Sequence, residues 1–189
     1  MPNPDTDDTP LQLALEPDWE QGIKLEKQFS TSVQRSWAGR DQRQRKWEKP
    51  RLKMSYQRSG LTAAQAKVRI QAIRDELRQP IMGPVWPDGV PLQSTISGAG
   101  ATNASLNQNP VNEWDGITAV WIWDRANGGE FRTVVSVVTR TVTLSGTGRA
   151  YTAGAYVFPC SLMVREISDK QLQPINLETG TEKVEFRML

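Results

Sequence analysis

"ITAVWIWDRANGGEFRTVVSVVTRTVTLSG" (Ile117–Gly146) is the stretch on which the fold turns. Its valines, threonines and aromatics suit a pleated sheet. "RANGGE" between its halves is glycine turn chemistry. "ITAVWIWD" (Ile117–Asp124) is therefore predicted as a strand, followed by a second β-rich run, "FRTVVSVVTRTVTLSG" (Phe131–Gly146). In the second half of that run Val138, Val142 and Leu144 share one face, with Thr139, Thr141 and Thr143 opposite. Farther on, "AYVFPCSLMVREI" (Ala155–Ile167) and "EKVEFRML" (Glu182–Leu189) supply further strands.

Working back toward the start, "IKLEKQF" (Ile23–Phe29) and "RLKMSYQR" (Arg51–Arg58) alternate apolar and polar residues, with Leu52, Met54 and Tyr56 on one side of the second run. The intervening "AGRDQRQRKWEKP" is too long for a tight hairpin, so two antiparallel strands with an elaborated connection are expected. A helix is predicted over Thr62–Gln79. Thr62 and Gln65 form a capping-box pattern, Ala66, Ile70, Ile73 and Leu77 align on one face, and Lys67, Arg69, Arg74, Asp75 and Arg78 take the outer sides. Pro80, Gly83 and Pro84 end it. "GPVWPDGVP" (Gly83–Pro91) is turn chemistry, and "STISGAGATNASLNQNP" (Ser94–Pro110) is expected to be an exposed polar loop or a weakly paired hairpin. These elements predict a mainly β chain with one amphipathic helix (α+β), in the form of an antiparallel β-sandwich or small barrel with the helix packed on it. Residues 1–20 are predicted as an acidic flexible arm and residues 21–189 as a single β-rich domain.

Composition narrows the chemistry. The chain has 189 residues, 38% of them hydrophobic, with a formal net charge of +2. Histidine is absent, which removes Ser-His-Asp and Cys-His catalysis and histidine metal sites. Cys160 is the sole cysteine, so no internal disulfide or thiolate cluster can form; inside "YVFPCSLMV" it is predicted as a small buried apolar side chain. No run approaches the roughly 18 apolar residues of a membrane span. The start, "MPNPDTDDTP", is acidic and proline-rich where a cleaved leader would be basic and then apolar. The expectation is a non-enzyme of cytoplasmic origin with no metal, cofactor, small-molecule substrate or membrane span.

Charge is unevenly distributed. Met1–Glu20 holds six acidic residues and no basic one, whereas Val33–Arg58 holds nine Lys/Arg against Asp41 and Glu48. Two tryptophans lie within the basic stretch "RSWAGRDQRQRKWEKPR" (Arg35–Arg51). Lysine and arginine neutralise phosphates and aromatic rings stack on bases, so a β-barrel that binds nucleic acid through residues 35–53 is one reading. Seven tryptophans, among them Trp19, Trp37, Trp47 and Trp86 outside obvious core runs, allow a carbohydrate-binding domain. Glu113, Asp115, Asp124 and Glu130 beside Trp114, Trp121 and Trp123 suggest a glycosidase cleft, but their spacing specifies no geometry. "SGAGA" carries no phosphate-binding fingerprint.

"PDWEQGIKLEKQFSTSVQRSWAGRDQRQRKWEKPR" (Pro17–Arg51), with its turn at Ala38-Gly39 and its close on Pro50-Arg51, resembles small bacteriophage tail proteins of the distal-tail and tail-tip (baseplate) kind. The helix followed by "GPVWPDGVP", then "RAYTAGAYVFPCSLMVREI" and the closing "EKVEFRML", follow in the order of that pattern; the polar insert Ser94–Pro110 departs from it. The resemblance implies a structural virion subunit, made in the host cytoplasm and built into the tail. It would form a ring-like homo-oligomer that joins the tail tube to baseplate or fibre proteins, with incidental DNA contact in the lumen. Head-to-tail rings use two different patches on each subunit. Charge nominates Asp5, Asp7, Asp8 and Asp18 for one patch; charge, with the preference of interfaces for arginine and aromatics, nominates Trp37, Arg40, Arg43, Arg45, Trp47 and Arg51 for the other.

Overall fold

The computed structural model of the chain describes residues 10–29, 31–35, 41–45, 51–98, 102–110, 114, 116–166, 175–176 and 178–189, with the backbone alone for residues 31–35, 41–45, 71 and 74. In chain order the elements are β1 (Leu11–Gln12), β2 (Ile23–Gln28), β3 (Thr31–Arg35), β4 (Asp41–Arg45), β5 (Arg51–Arg58), α1 (Ala63–Glu76), β6 (Ile81–Pro84), β7 (Val90–Pro91), β8 (Thr102–Ser105), β9 (Ala119–Asp124), β10 (Gly128–Val138), β11 (Thr141–Leu144), β12 (Tyr156–Arg165), β13 (Ile175–Asn176) and β14 (Thr181–Met188). The chain is mainly β with one helix, and its strands pair antiparallel except for β1 with β6.

β12 is shared between two halves of the sheet. One of its edges pairs with β9 at Tyr156–Pro159 and then with β14 at Met163–Arg165. The other edge pairs with β7 at Tyr156–Val157 and then with β6 at Cys160–Met163. Pro159 would interrupt a ladder in an ordinary central strand because it lacks an N–H. Here its carbonyl accepts from Val85 N at 2.8 Å, just where β6 gives way to the 3-10 turn Trp86–Asp88, so its missing donor falls in the gap between β6 and β7.

The path β2-β5-β14-β12-β9-β10-β11-β8 is open at β2 and curls back on itself at β8. Leu92, just past β7, bridges Leu106, just past β8, through Gln93 N to Ser105 O at 2.8 Å and Asn107 N to Pro91 O at 2.9 Å. β7, β12, β9, β10, β11 and β8 thus ring a core that includes Ile96, Leu106, Val120, Ile122, Leu144 and Tyr151. Ser94–Pro110, expected as an exposed polar loop or a weakly paired hairpin, contributes to this ring through its described residues: β8 pairs with β11, and Ile96, Ala104 and Leu106 are buried. Three apolar side chains among many small polar ones suffice because each points inward and their backbones are paired. The run Phe131–Gly146 divides into β10 and β11 at Thr139-Arg140. Val142 and Leu144 face the core as expected, whereas Val138, beside the turn, is exposed.

The other half is a sheet with one buried face. Leu52, Met54 and Tyr56 of β5 pack with Val184, Phe186 and Met188 of β14, and Lys53, Glu185, Glu166 and Arg187 form ion pairs on the opposite face. Residues 10–20, expected as the inner half of a flexible arm, strap this core. Leu11 and Leu13 bond to the β6 segment, Tyr56 Oη donates to Leu15 O at 2.9 Å, and Asp18 N donates to Gln57 O at 2.7 Å. The outer half of the predicted arm, residues 1–9, lies outside the described residues.

The helix begins as predicted. Thr62 Oγ1 accepts from Gln65 N, and Gln65 Oε1 accepts from Thr62 N at 2.9 Å. Its buried stripe differs from the expected one. Ala66, Arg69, Ile73 and Glu76 are buried, while Ile70 and Leu77 are 38% and 42% exposed. Both sets have helical spacing; the expectation rested on charged residues facing water, and here partners for the charges are waiting on the sheet.

Candidate functional site

The described part of the basic segment belongs to paired strands. β3 pairs with β4 from Thr31↔Arg45 to Arg35↔Asp41 and forms a separate two-stranded sheet between β2 and β5, which themselves pair from Ile23↔Tyr56 to Gln28↔Arg51. Asp41–Arg45, the described part of the connection expected to be elaborate, is thus a paired strand. The register places Arg45 opposite Thr31, Arg43 opposite Val33 and Arg35 opposite Asp41, alternate positions that share one face of the ribbon; Ser32, Gln34, Gln42 and Gln44 take the other. Arg51 is exposed at the start of β5. Asp18 sits by the opposite end of that strand, where its carboxylate accepts from Ser59 Oγ and from Glu20 N. Asp18 and Arg51 are therefore not brought together, and Asp18 serves the fold of its own chain. Trp37, Arg40, Trp47, Asp5, Asp7 and Asp8 lie outside the described residues.

A buried ionic ring fastens α1 to the sheet, and sequence reading missed it. Arg69 donates to both oxygens of Glu76 and, through Nε, to both oxygens of Glu182 at 3.2 and 3.0 Å. Arg165 donates to Glu76 at 2.6 Å and to Glu182 at 2.7 Å, which closes the cycle. Arg58, at the rim, adds a bond to Glu182 at 3.1 Å. Arg165 also lies 5.9 Å from the Phe186 ring centroid. Burial pushes the Glu182 carboxyl up, but the bonds and charges of Arg69 and Arg165 prevail and hold it below the usual carboxylate range. Burial likewise opposes the Arg69 charge, and its bonds to Glu76 and Glu182 outweigh it, raising its pKa. The signal in the sequence was the 3-4-3 spacing 66, 69, 73, 76. Only the positions of Arg165 and Glu182, remote in the chain, give it meaning.

The described tryptophans divide between core and surface. Trp114 is buried, with Nε1 donating to Asp88 O at 3.0 Å. Trp86 is buried as well, but it floors an open cleft of about 330 Å³ whose walls include Trp19, Pro87, Trp123, Tyr156 and Phe158. Trp19 stacks on Phe158 (6.3 Å, 27°) and meets Trp86 edge-on (5.9 Å, 87°), and Tyr156 stacks on Phe158 (5.9 Å, 19°). Gly89 is required here by contact: a Cβ would lie 2.2 Å from the Phe158 ring.

Of the carboxylates noted beside the tryptophans, Glu113 and Asp115 lie outside the described residues, and Asp124 and Glu130 have structural partners. Asp124 accepts from the Asn127 backbone and side chain, and that backbone bond depresses its pKa. Glu130 accepts from Arg149 N at 2.8 Å. Cys160 is buried, and burial pushes its thiol pKa well up. Among the described residues no group of three or more His, Cys, Asp or Glu could hold a metal ion, and no helix is long and apolar enough to cross a membrane. No protein-family model matches the chain, and no curated protein matches it in sequence.

Proposed function

We propose that the chain is a structural subunit of a bacteriophage tail, of the distal-tail or tail-tip kind. It would assemble as a ring-like homo-oligomer that joins the tail tube to baseplate or fibre proteins of the virion. The observation that carries this reading, beside the sequence resemblance, is the β3–β4 ribbon. It pairs with no other strand among the described residues. An isolated two-stranded hairpin is marginal in water, so a ribbon set apart from the sheet gains most from a neighbouring surface. Arginine is also favoured at interfaces. Arg43 and Arg45 at alternate ribbon positions, with Trp37, Arg40, Trp47 and Arg51 near them in sequence, form the basic patch. With Asp18 engaged internally, Asp5, Asp7 and Asp8 carry the acidic one.

The test is the mass of the purified protein by light scattering, at low and high salt, for the wild type and for Arg43→Glu/Arg45→Glu. The double variant is expected to lose the assembled species while its circular dichroism and unfolding midpoint stay unchanged. Normal assembly of that variant would sink the proposal. The same ribbon favours one second reading, nucleic-acid binding, because a two-stranded ribbon fits the major groove and a basic face meets phosphates. A monomer that binds DNA tightly and releases it steeply with salt would support that reading instead.

A further inference from the structure

We propose that the aromatic cleft formed by Trp19, Trp86, Trp123, Tyr156 and Phe158 binds neutral carbohydrate through the apolar faces of its sugar rings. The proposal is independent of the tail reading, because the cleft lies on the body of the sheet and uses none of the ribbon residues.

The cleft is assembled from separate parts of the chain: the turn at Trp19, the 3-10 turn at Trp86, β9 for Trp123 and β12 for Tyr156 and Phe158. β9 and β12 are paired at the cleft, with Trp123 directly opposite Tyr156. Trp19 and Tyr156 stay 53% and 45% exposed although both pack against Phe158, so these rings are positioned yet left open to solvent. Clustered exposed apolar surface of this kind marks binding sites.

Orientation and charge select the ligand. Trp19 and Tyr156 lie at 27° and 19° to the plane of the same buried phenylalanine, so the three rings run roughly parallel and the outer two keep about half of their surface in solvent. A pyranose has a flat face of C–H groups and a rim of hydroxyls; it can stack on an indole or phenol while its rim remains hydrated. Among the described residues no charged side chain lines the cleft. A charged ligand would lose hydration there without gaining a partner, which selects a neutral one. The volume of about 330 Å³ lies within the range of small-ligand sites.

Affinity electrophoresis through gels containing dextran, soluble starch, hydroxyethyl cellulose or glycol chitin tests the proposal, with heparin as the charged control. Retardation by at least one neutral polymer is expected, accompanied by a change in tryptophan fluorescence on adding the corresponding oligosaccharide. Trp19→Ala and Tyr156→Ala should each weaken binding about tenfold, the scale of one lost aromatic contact. Trp19→Phe and Tyr156→Phe, which keep a stacking ring, should retain most of it. Circular dichroism of each variant checks the fold. Failure of all four polymers to retard the wild type would overturn the proposal, as would retardation unchanged in the double alanine variant. Two further outcomes would reassign the cleft. Binding of a proline peptide but of no sugar would make it a polyproline groove. A change in solution mass on double substitution, without sugar binding, would make it a contact between copies.

Discussion

Replacing Glu182 by Gln should undock the helix at a large cost in stability. Glu182 is fully buried and accepts from Arg69 at 3.2 and 3.0 Å, from Arg165 at 2.7 Å and from Arg58 at 3.1 Å. Glutamine has nearly the same shape but no charge, and its amide nitrogen would face guanidinium donors. Arg69 and Arg165 would then share Glu76 alone, and Arg58 would lose its carboxylate partner. Removing one member of a buried ion pair costs about 3–5 kcal/mol, because the partner charge stays buried without compensation. Against a total stability on the order of 5–15 kcal/mol, that is a large fraction. Arg58→Met should cost about 1 kcal/mol or less, since Arg58 is 22% exposed and contributes one bond to the ring. Urea denaturation followed by tryptophan fluorescence gives the free energies, and hydrogen exchange over residues 63–76 reports whether α1 is released. Converting the four ring residues together, Arg69→Met, Glu76→Leu, Arg165→Met and Glu182→Leu, should leave stability within about 1 kcal/mol of wild type or raise it. The reasoning fails if Glu182→Gln costs under about 1 kcal/mol with helix protection unchanged.

The ring also sets a pH dependence. The Glu182 carboxyl is held below its ordinary value of 4.5, so as pH falls the unfolded chain takes up the proton first. The stability it contributes is complete above about pH 4.5 and is lost progressively below it, so urea midpoints should fall in acid more steeply for wild type than for Glu182→Gln. Thr139 opens the β10–β11 turn with φ 55°, a left-handed conformation unfavourable for a β-branched residue. Thr139→Gly should raise stability by about 1 kcal/mol in the same assay, and a loss would refute the strain. Leu106→Ala, at a fully buried position that seals the ring of strands, should cost about 2–5 kcal/mol. A cost near zero would mean that Ser94–Pro110 behaves as the surface loop its composition suggests.

Where one sheet face is buried and the other wet, alternation made the strands legible. β5 is the clear example: Leu52, Met54 and Tyr56 are buried, and Arg51, Lys53 and Ser55 are not. The helix cap was equally legible, because a capping box involves neighbours in sequence. Ser94–Pro110 was misjudged because a closed ring of strands needs few large side chains once small ones pack inside. The α1 stripe was misjudged because hydropathy ranks arginine and glutamate as outward facing whatever waits on the sheet. The candidate interface divided in the same way. Of its basic part, Arg43 and Arg45 lie in a paired ribbon whose register lines them up with Arg35, whereas Asp18 was drawn into its own strap.

By itself the sequence determined the class of the chain, mainly β with one capped helix, and excluded internal disulfides and chemistry by histidines of this chain. Those properties depend on composition or on residues a few positions apart, whose physics acts within one strand or one helical turn. The tertiary structure decided which strand is shared, where the ring of strands closes, which charges enter the interior, and that Trp19, Trp86, Trp123 and Tyr156 line one cleft. These outcomes depend on pairs such as Leu92 with Leu106, Arg69 with Glu182 and Trp123 with Tyr156. Such partners meet only after the backbone has folded, and a buried charge or an open ring becomes favourable only once its distant partner is in place.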